Sequence, residues 1–447
     1  MDGGRSVTDT LEPLLTSGLG TPLPIRFEFW DGTAIGPADA PGAVAIRSPR
    51  AIRWMLWQPN ELGLARAFVS GDLELDGDPV ASLRELRERV RARPGRLARV
   101  RAFANLWAVA ARLDAIGPPP PVPEEEARLG GRRHTHGRDA SAIEHHYDVG
   151  NDFYRLVLGP EMTYSCARFE TPESTLDEAQ RAKHDLICRK LGLGSAGGQR
   201  FLDVGCGWGT LVIHAALEYD AVGVGITLSP SQCNYARQRV RALGLEGRVE
   251  IRLQDYRDLA GETFDAIASV GMFEHVGAER MAGYFTTLSQ LLTPQGRLLN
   301  HAISKPGGRA MVRRGFMNRY VFPDGHLLDV AQVVQAMERC GIEVRDVESL
   351  REHYAETLAA WLDNLAGNWD EANALVGETR ARVWRLYMAA SQNAFAAGAL
   401  SLHQVLGVRA DIQGNSGMPR TRAAWEHRSA PALGGEPQLA SAADGSF

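Results

Sequence analysis

The stretch FLDVGCGWGT, Phe201–Thr210, decides the fold. Its first half is an apolar run closed by Asp203, the pattern of a buried strand. In its second half Gly205, Gly207 and Gly209 let the chain turn tightly and bring backbone close to a ligand before a helix begins at Thr210. A dinucleotide site prefers G-x-G-x-x-G, in which helix amides face a pyrophosphate. Here the spacing is G-C-G-W-G, with an acid two residues ahead of the first glycine. That argues against a phosphate ligand.

Working outward, AVGVGITLS (221–229), VEIRLQDY (249–256), FDAIASVGM (264–272) and RLLNHAIS (297–304) read as strands. Helices are expected over Thr210–Tyr219, Pro230–Leu243 and Ala278–Leu292, with further helices beyond Leu328 and a late strand at Leu402–Arg409. Strands alternating with helices of this length mean a parallel sheet covered on both faces. The fold expected is therefore α/β, a doubly wound Rossmann-like sheet. Ahead of it, IRFEFWDG, AVAIRS, a helix at Pro49–Trp57 and the segment ELGLARAFVSGDLELDGD (62–78 from its first leucine) predict a smaller α/β unit. Residues 80–113 read as helical, interrupted at Pro94–Gly95. The domain plan is a flexible terminus over 1–20, an accessory domain over 21–116, a Pro-rich and Gly-rich linker over 117–140, a catalytic domain over 141–412 and a disordered tail over 413–447.

The chain has 447 residues, 44% hydrophobic and 23% charged, with net charge −5. This balance excludes a nucleic-acid binder held by overall charge. Cys166, Cys188, Cys206, Cys233 and Cys340 form no C-x-x-C pair, so reduced thiols are expected and no metal site. No basic stretch followed by an apolar core opens the chain, and no run of about 18 apolar residues occurs. The expected location is cytoplasmic.

A nucleotide fold of this kind should carry an acid at the end of its second strand to hold ribose hydroxyls. Here that strand ends GITLSPSQ, and Thr227 and Gln232 are the polar groups on offer. After the third strand, Gln254, Asp255 and Tyr256 stand where a planar base would lie. The glycine turn is similar to the form in which doubly wound methyltransferases hold the amino-acid part of S-adenosylmethionine.

Eight segments in order extend that likeness. They are HHYDVGNDFY (145–154), MTYSCARF (162–169), LDVGCGWG (202–209), GITLSPSQ (225–232), LQDYRDL (253–259), SVGMFEHVG (269–277), RYVFPDG (319–325) and HYAETLAAW (353–361). Together they resemble the cyclopropane fatty acid synthase family across about 141–410. The N-terminal segment resembles the accessory domain of its longer, phospholipid-acting members. The resemblance implies methyl transfer from S-adenosylmethionine to a cis double bond of a lipid acyl chain, and a homodimer. It implies that Tyr164 and Ser165 touch the cofactor. It also implies a bicarbonate base held by Cys166, Glu274, His301, the backbone of Ile303, and Tyr354. Many members have a cysteine in a late Y-x-x-A-C helix, where this chain has Ser391 after Tyr387. A nucleophilic role at that position is not expected here. His145 and His146 are expected to be structural or part of a lid, and His134 and His136 to be solvated.

The implied chemistry explains the residue types. Methylating an alkene leaves a carbocation. Such a site aligns donor and alkene in a dry tunnel, surrounds the cation with aromatic faces, and removes one proton. A tunnel for the chain gains about 0.8 kcal/mol per buried methylene. Loss of the proton from the transferred methyl closes a cyclopropane. Loss from the chain leaves a methylene branch, which a separate reductase would convert to a methyl. The wording HHYDVGNDFYRLVLGP favours the 10-methylene or methyl-branched, tuberculostearic-type product.

Arg84, Arg87, Arg89, Arg91, Arg93, Arg96, Arg99 and Arg101, followed by Phe103, Leu106 and Trp107, predict peripheral attachment to an anionic inner membrane face, where a phospholipid acyl chain would be the partner. Two other readings are a small-molecule O- or N-methyltransferase, which needs no bicarbonate site, and a non-catalytic lipid-binding protein, which would tolerate an eroded glycine turn.

Overall fold

The computed structural model describes residues 6–89, 96–127, 149–259, 261–308, 315–323 and 325–426. His134, His136, His145, His146, Arg91, Arg93 and residues 427–447 lie outside the described residues, as do the side chains of Arg96 and Arg99.

Two sheets organise the chain. The N-terminal one joins β1 (Arg26–Phe29), β2 (Ala34–Ile35), β3 (Gly42–Ile46) and β4 (Leu73–Gly77) in the order β2-β1-β3-β4. Helices α1 (Val7–Leu19), α2 (Arg50–Trp57), α3 (Glu61–Val69), α4 (Pro79–Arg89) and α5 (Arg96–Arg112) accompany it. Alternation in β1 buries Phe27 and Phe29 against Leu11, Ile52, Leu56 and Phe68. The expected mobile terminus is a helix instead. Ser6 and Asp9 close a reciprocal capping box, and Val7 and Leu11 enter the core.

The larger sheet runs β10-β11-β9-β8-β5-β6-β7. Its strands are β5 (Arg200–Val204), β6 (Val222–Thr227), β7 (Val249–Leu253), β8 (Phe264–Val270), β9 (Leu292–Ser304), β10 (Glu343–Ser349) and β11 (Ser401–Val408). Strands β5 to β9 are parallel, as the alternation predicts; β11 is antiparallel to both its neighbours. The sheet is therefore mixed. The chain moves one way from β5 to β7 and the other way from β8 onward. The strand order reverses between β5 and β8, and a crevice opens at their carboxyl ends. Strand β10 was not expected. It is an edge strand whose side chains point mostly to solvent, so its sequence EVRDVES lacks an apolar run.

Helices α6 (Asn151–Leu158), α7 (Leu176–Leu191), α8 (Thr210–Tyr219), α9 (Pro230–Ala242), α10 (Met281–Leu291) and α11 (Val330–Arg339) precede the last group, α12 (Arg351–Gly367), α13 (Trp369–Val376), α14 (Glu378–Ala396) and α15 (Ala423–Glu426). Helices α6, α12, α13 and α14 pack as one apolar body over the carboxyl end of the sheet.

The accessory unit docks on α14. Leu62, Ala65 and Val69 join the same apolar cluster as Trp384 and Met388. Arg382 donates to the Phe68 carbonyl at 3.2 Å and pairs with Glu74, while Asn393 Nδ2 donates to the Val80 carbonyl at 2.8 Å. The expected linker is ordered over its first part. Arg66 forms a two-pronged pair with buried Glu126 at 2.9 Å, and the Ala127 N–H donates to the Arg319 carbonyl. The expected disordered tail also begins as a packed strap, with Trp425 buried and its carbonyl accepting from Arg189 at 2.9 Å. Among the described residues no helix is long and apolar enough to cross a membrane.

Candidate active site

The crevice between β5 and β8 is a cleft of about 1210 Å³ including its mouth. Gly205, with φ +81°, turns the chain at the end of β5, and its amide and that of Cys206 donate to the Ile226 carbonyl. The bend pins the turn to β6 and leaves Gly207 facing the cleft.

Tyr164, Ser165, Asp203, Gly205, Gly207, Thr227, Gln232, Gln254, Asp255 and Tyr256 all line this cleft. Gly209 does not. A Cβ there would stand 3.0 Å from the Ala236 Cβ, so that glycine lets α8 approach α9. In place of a ribose acid, Thr227 Oγ1 donates to Gln232 Oε1 at 2.9 Å, and both side chains are buried. Tyr256 stands edge-on to Tyr284, with centroids 5.1 Å apart, under the Arg257 guanidinium. Asp255 is clamped by Arg257 through its Nε at 2.8 Å and its backbone N–H at 2.9 Å. Burial raises the Asp203 carboxyl to about 7, against the opposing pull of the Lys183 charge.

Lys183 is a site residue that the sequence reading missed. It lines the cleft, is buried, and donates to Ser165 Oγ at 3.0 Å; its Nζ also lies 3.1 Å from His184 Nε2. Burial lowers its ammonium to about 7. A signal was present. Gln180, Lys183, Ile187 and Lys190 fall at helical spacing on the buried face of α7, where unpaired polar groups are costly.

None of the expected anion ligands Cys166, Glu274, His301, Ile303 and Tyr354 lines the cleft; a thread of hydrogen bonds and one strand pairing relates them. The Cys166 Sγ lies 3.6 Å from the Leu350 carbonyl, which also accepts the Tyr354 N–H at 3.1 Å. The Leu350 N–H donates to the Leu402 carbonyl, and Leu402 faces Ile303 across β11 and β9. The Ile303 N–H donates to Glu274 Oε1 at 2.7 Å. His301 is two residues back on the same face of β9. Burial raises the Glu274 carboxyl to about 7 and pushes the Cys166 thiol far up, so the thiol stays neutral. Glu274 Oε2 and His301 Nε2 are both buried and have no hydrogen-bond partner. Among the described residues no cluster has the makings of a metal site.

Aromatic rings lead from the cleft through Tyr164 and Trp361 to Tyr354. The Tyr164 ring lies 5.2 Å from Trp361 and 5.7 Å from Trp384, and its hydroxyl donates to Tyr387 Oη at 3.0 Å. Tyr354 packs at 4.5 Å on Phe395. Trp361, Trp384 and Phe395 were not expected as site residues, because they sit on helices whose apolar faces look like ordinary core. Ser391 is buried one turn beyond Tyr387 on α14.

A glycine turn at a sheet's switch point, an acid at the first strand end and a lidded cleft define an S-adenosylmethionine-dependent methyltransferase. The chain belongs to the mycolic acid cyclopropane synthetase family, whose model matches residues 134–405. A probable fatty acid methyltransferase of Mycobacterium tuberculosis is 42% identical over 429 residues, covering 93% of this chain and 98% of that one. The tuberculostearic acid methyltransferase UfaA1 of the same organism is 34% identical, over 86% of this chain and 87% of its own. The solved structure of the mycolic acid cyclopropane synthase CmaA1, complexed with SAH and CTAB, is 35% identical. Its TM-score is 0.57, and the match covers 60% of this chain and 98% of that one.

Proposed function

We propose that this fatty acid methyltransferase acts on the cis double bond of unsaturated phospholipid acyl chains, of oleoyl type, and that its product is the 10-methylene or methyl-branched chain in preference to the cyclopropane. The observation that carries the reading is that Glu274 Oε2 and His301 Nε2 are both buried and unpartnered, with Glu274 held to β9 two residues beyond His301. A methyltransferase for oxygen or nitrogen has no use for such a pair remote from solvent. Alkene methylation does, because a proton must leave a carbon in a dry site.

Bound S-adenosylmethionine supplies an electrophilic methyl group. The chain's residues do the rest. Gly205 and Gly207 leave room for the amino-acid part, Thr227 and Gln232 offer polar atoms for the ribose, and Tyr256 offers a face for the base. Tyr164, Trp361 and Trp384 present ring faces to a cation on the acyl chain and exclude water. The carboxyl of Glu274 in its protonated form and the imidazole of His301 would suit a small oxyanion such as bicarbonate, which would accept the proton. Cys166 and Tyr354 would complete that site, and the Ile303 backbone holds Glu274 in place. The similarity to the tuberculostearic acid methyltransferase UfaA1 supports the branched product. A methyl branch would require reduction by a second protein. Attachment to the membrane surface would bring the acyl chain within reach.

Incubation with labelled S-adenosylmethionine and dioleoyl phospholipid tests the reading. Label is expected in the lipid fraction, with the branch located by mass spectrometry. Lipid that stays unlabelled sinks it.

A further inference from the structure

One lysine and one amide set the protonation of His301. Lys190, on the buried face of α7, is fully enclosed. Its Nζ lies 3.2 Å from Asp346 Oδ2, 2.5 Å from Glu348 Oε2 and 3.0 Å from Gln404 Oε1. It pairs with both carboxylates, and its ammonium donates to Glu348 and to Gln404. Asp346 is the one buried side chain of edge strand β10, and from the C-terminal strap Arg422 Nη2 stands 2.5 Å from its other oxygen.

The consequence passes through Gln404. An ammonium only donates, so the Gln404 amide must turn its oxygen to Lys190 and its NH2 group the other way. That NH2 group lies 3.2 Å from His301 Nδ1, and both side chains are fully buried. An NH2 group only donates, so His301 Nδ1 must accept and carries no proton. The proton of the neutral imidazole is then on Nε2, the unpartnered atom at the site. Protonating Nδ1 as well would set two donors face to face. Burial and the nearby charges of Lys183 and Lys190 act in the same direction, against imidazolium.

We infer that Lys190 and Gln404 are positioning residues that hold His301 as a neutral hydrogen-bond donor through Nε2–H. In the reaction proposed above, on which this role in catalysis rests, His301 therefore donates to the oxyanion that takes the proton and is not itself the base. The apparatus reaches from the site to the outer edge of the sheet, so β10 and the strap beyond β11 support catalysis without touching substrate.

Long-range 1H–15N correlation spectra of the full chain labelled at histidine nitrogens read this directly, with His301→Ala to assign the ring. The wild type is expected to show a protonated Nε2 and a bare Nδ1. Gln404→Glu keeps the side-chain size and the Lys190 pair but replaces the donor with an acceptor. It is expected to move the proton to Nδ1 and to lower kcat about 10- to 100-fold, the usual range for groups that fix a histidine tautomer behind a site. The KM for S-adenosylmethionine should not change. Gln404→Met, close in volume, should lower kcat without fixing either tautomer. A wild-type ring protonated at Nδ1, or an unaltered tautomer in Gln404→Glu, overturns the inference. The tautomer requires no substrate. If it is as stated and no lipid is methylated, the proposed function fails while the positioning role stands.

Discussion

The Glu274 carboxylate takes the place of a strand. Strand β8 ends at Val270, the Gly271 N–H makes the last ladder bond to the His301 carbonyl, and the next exposed amide of β9, Ile303, donates to Glu274 Oε1 at 2.7 Å. Burial raises the Glu274 pKa against the pull of this hydrogen bond and of the carboxyl's own backbone N–H, and burial wins, at about 7 against an ordinary 4.5. The folded state thus binds a proton that the unfolded state has released between those values. Stability attributable to Glu274 is complete below pH 4.5 and is lost as the pH rises toward 7, by about 3 kcal/mol. Glu274→Gln keeps the shape and cannot ionise. Denaturant titrations should find variant and wild type alike near about pH 4, and the variant more stable by up to about 3 kcal/mol near about pH 8. Equal stability at both pH values would show that the carboxyl does not carry the burial cost. The variant should bind cofactor and lack methyl transfer.

The glycines of the turn separate into two kinds. Gly207, at φ +54°, has open cleft where a Cβ would go, whereas Gly209, at φ +81°, has Ala236 at 3.0 Å. Both alanine variants carry the left-handed strain of about 1 kcal/mol. Gly209→Ala also pushes α8 from α9, so it should lose about 2 kcal/mol in all yet keep its affinity for S-adenosylhomocysteine. Gly207→Ala should lose the smaller amount and bind at least tenfold more weakly, because its methyl group takes cofactor space. Calorimetric titration beside thermal melts separates the two.

What the sequence made legible follows from burial. Strands β5, β6 and β8 are covered on both faces, so they read as unbroken apolar runs, and the glycine turn between β5 and α8 has few other uses. Strand β10 was hidden because an edge strand with one solvated face has no such run. Helix α1 was hidden by its small polar residues, whose capping box matters more than their hydrophobicity. Lys183 and Lys190 were hidden for a different reason. A lysine is normally read as surface, and only the placement of two of them among Leu186, Ile187 and Leu191 marks the face as buried. The aromatic wall was invisible because Trp361 and Trp384 lie far along the chain from Tyr164, and adjacency across that distance comes from packing alone.

Arg382 ties the accessory unit to the catalytic one. It donates to the Phe68 carbonyl, pairs with Glu74 and Glu378, and lies 5.4 Å over the Phe68 ring. Arg382→Met keeps the apolar stem and removes the charge. Glu74 retains Arg385 at 3.4 Å, so the loss should be about 2 kcal/mol, below the 3–5 kcal/mol of an ion pair broken with no replacement. Limited proteolysis should cut sooner between the two units. Arg382→Lys should restore little, since a point charge cannot serve the carbonyl, two carboxylates and the ring at once.

The exposed arginines Arg84, Arg87 and Arg89 lie on α4, and exposed Arg101 lies on α5 with two exposed rings. Those rings, Phe103 and Trp107, are one helical turn apart and meet edge to face at 6.3 Å. Exposed apolar rings on a helix that also carries an exposed arginine suit the boundary of a bilayer, with rings among the acyl chains and guanidinium groups at the phosphates. Each arginine near an anionic surface contributes about 1 kcal/mol. Changing Arg84, Arg87 and Arg89 to glutamine should therefore weaken binding to phosphatidylglycerol vesicles about 100-fold, and raised salt should weaken the wild type in the same direction. Turnover of a water-soluble, short-chain acyl substrate should be unaffected, since the cleft lies in the other unit. If binding to such vesicles survives both the substitutions and high salt, the face does not carry the attachment.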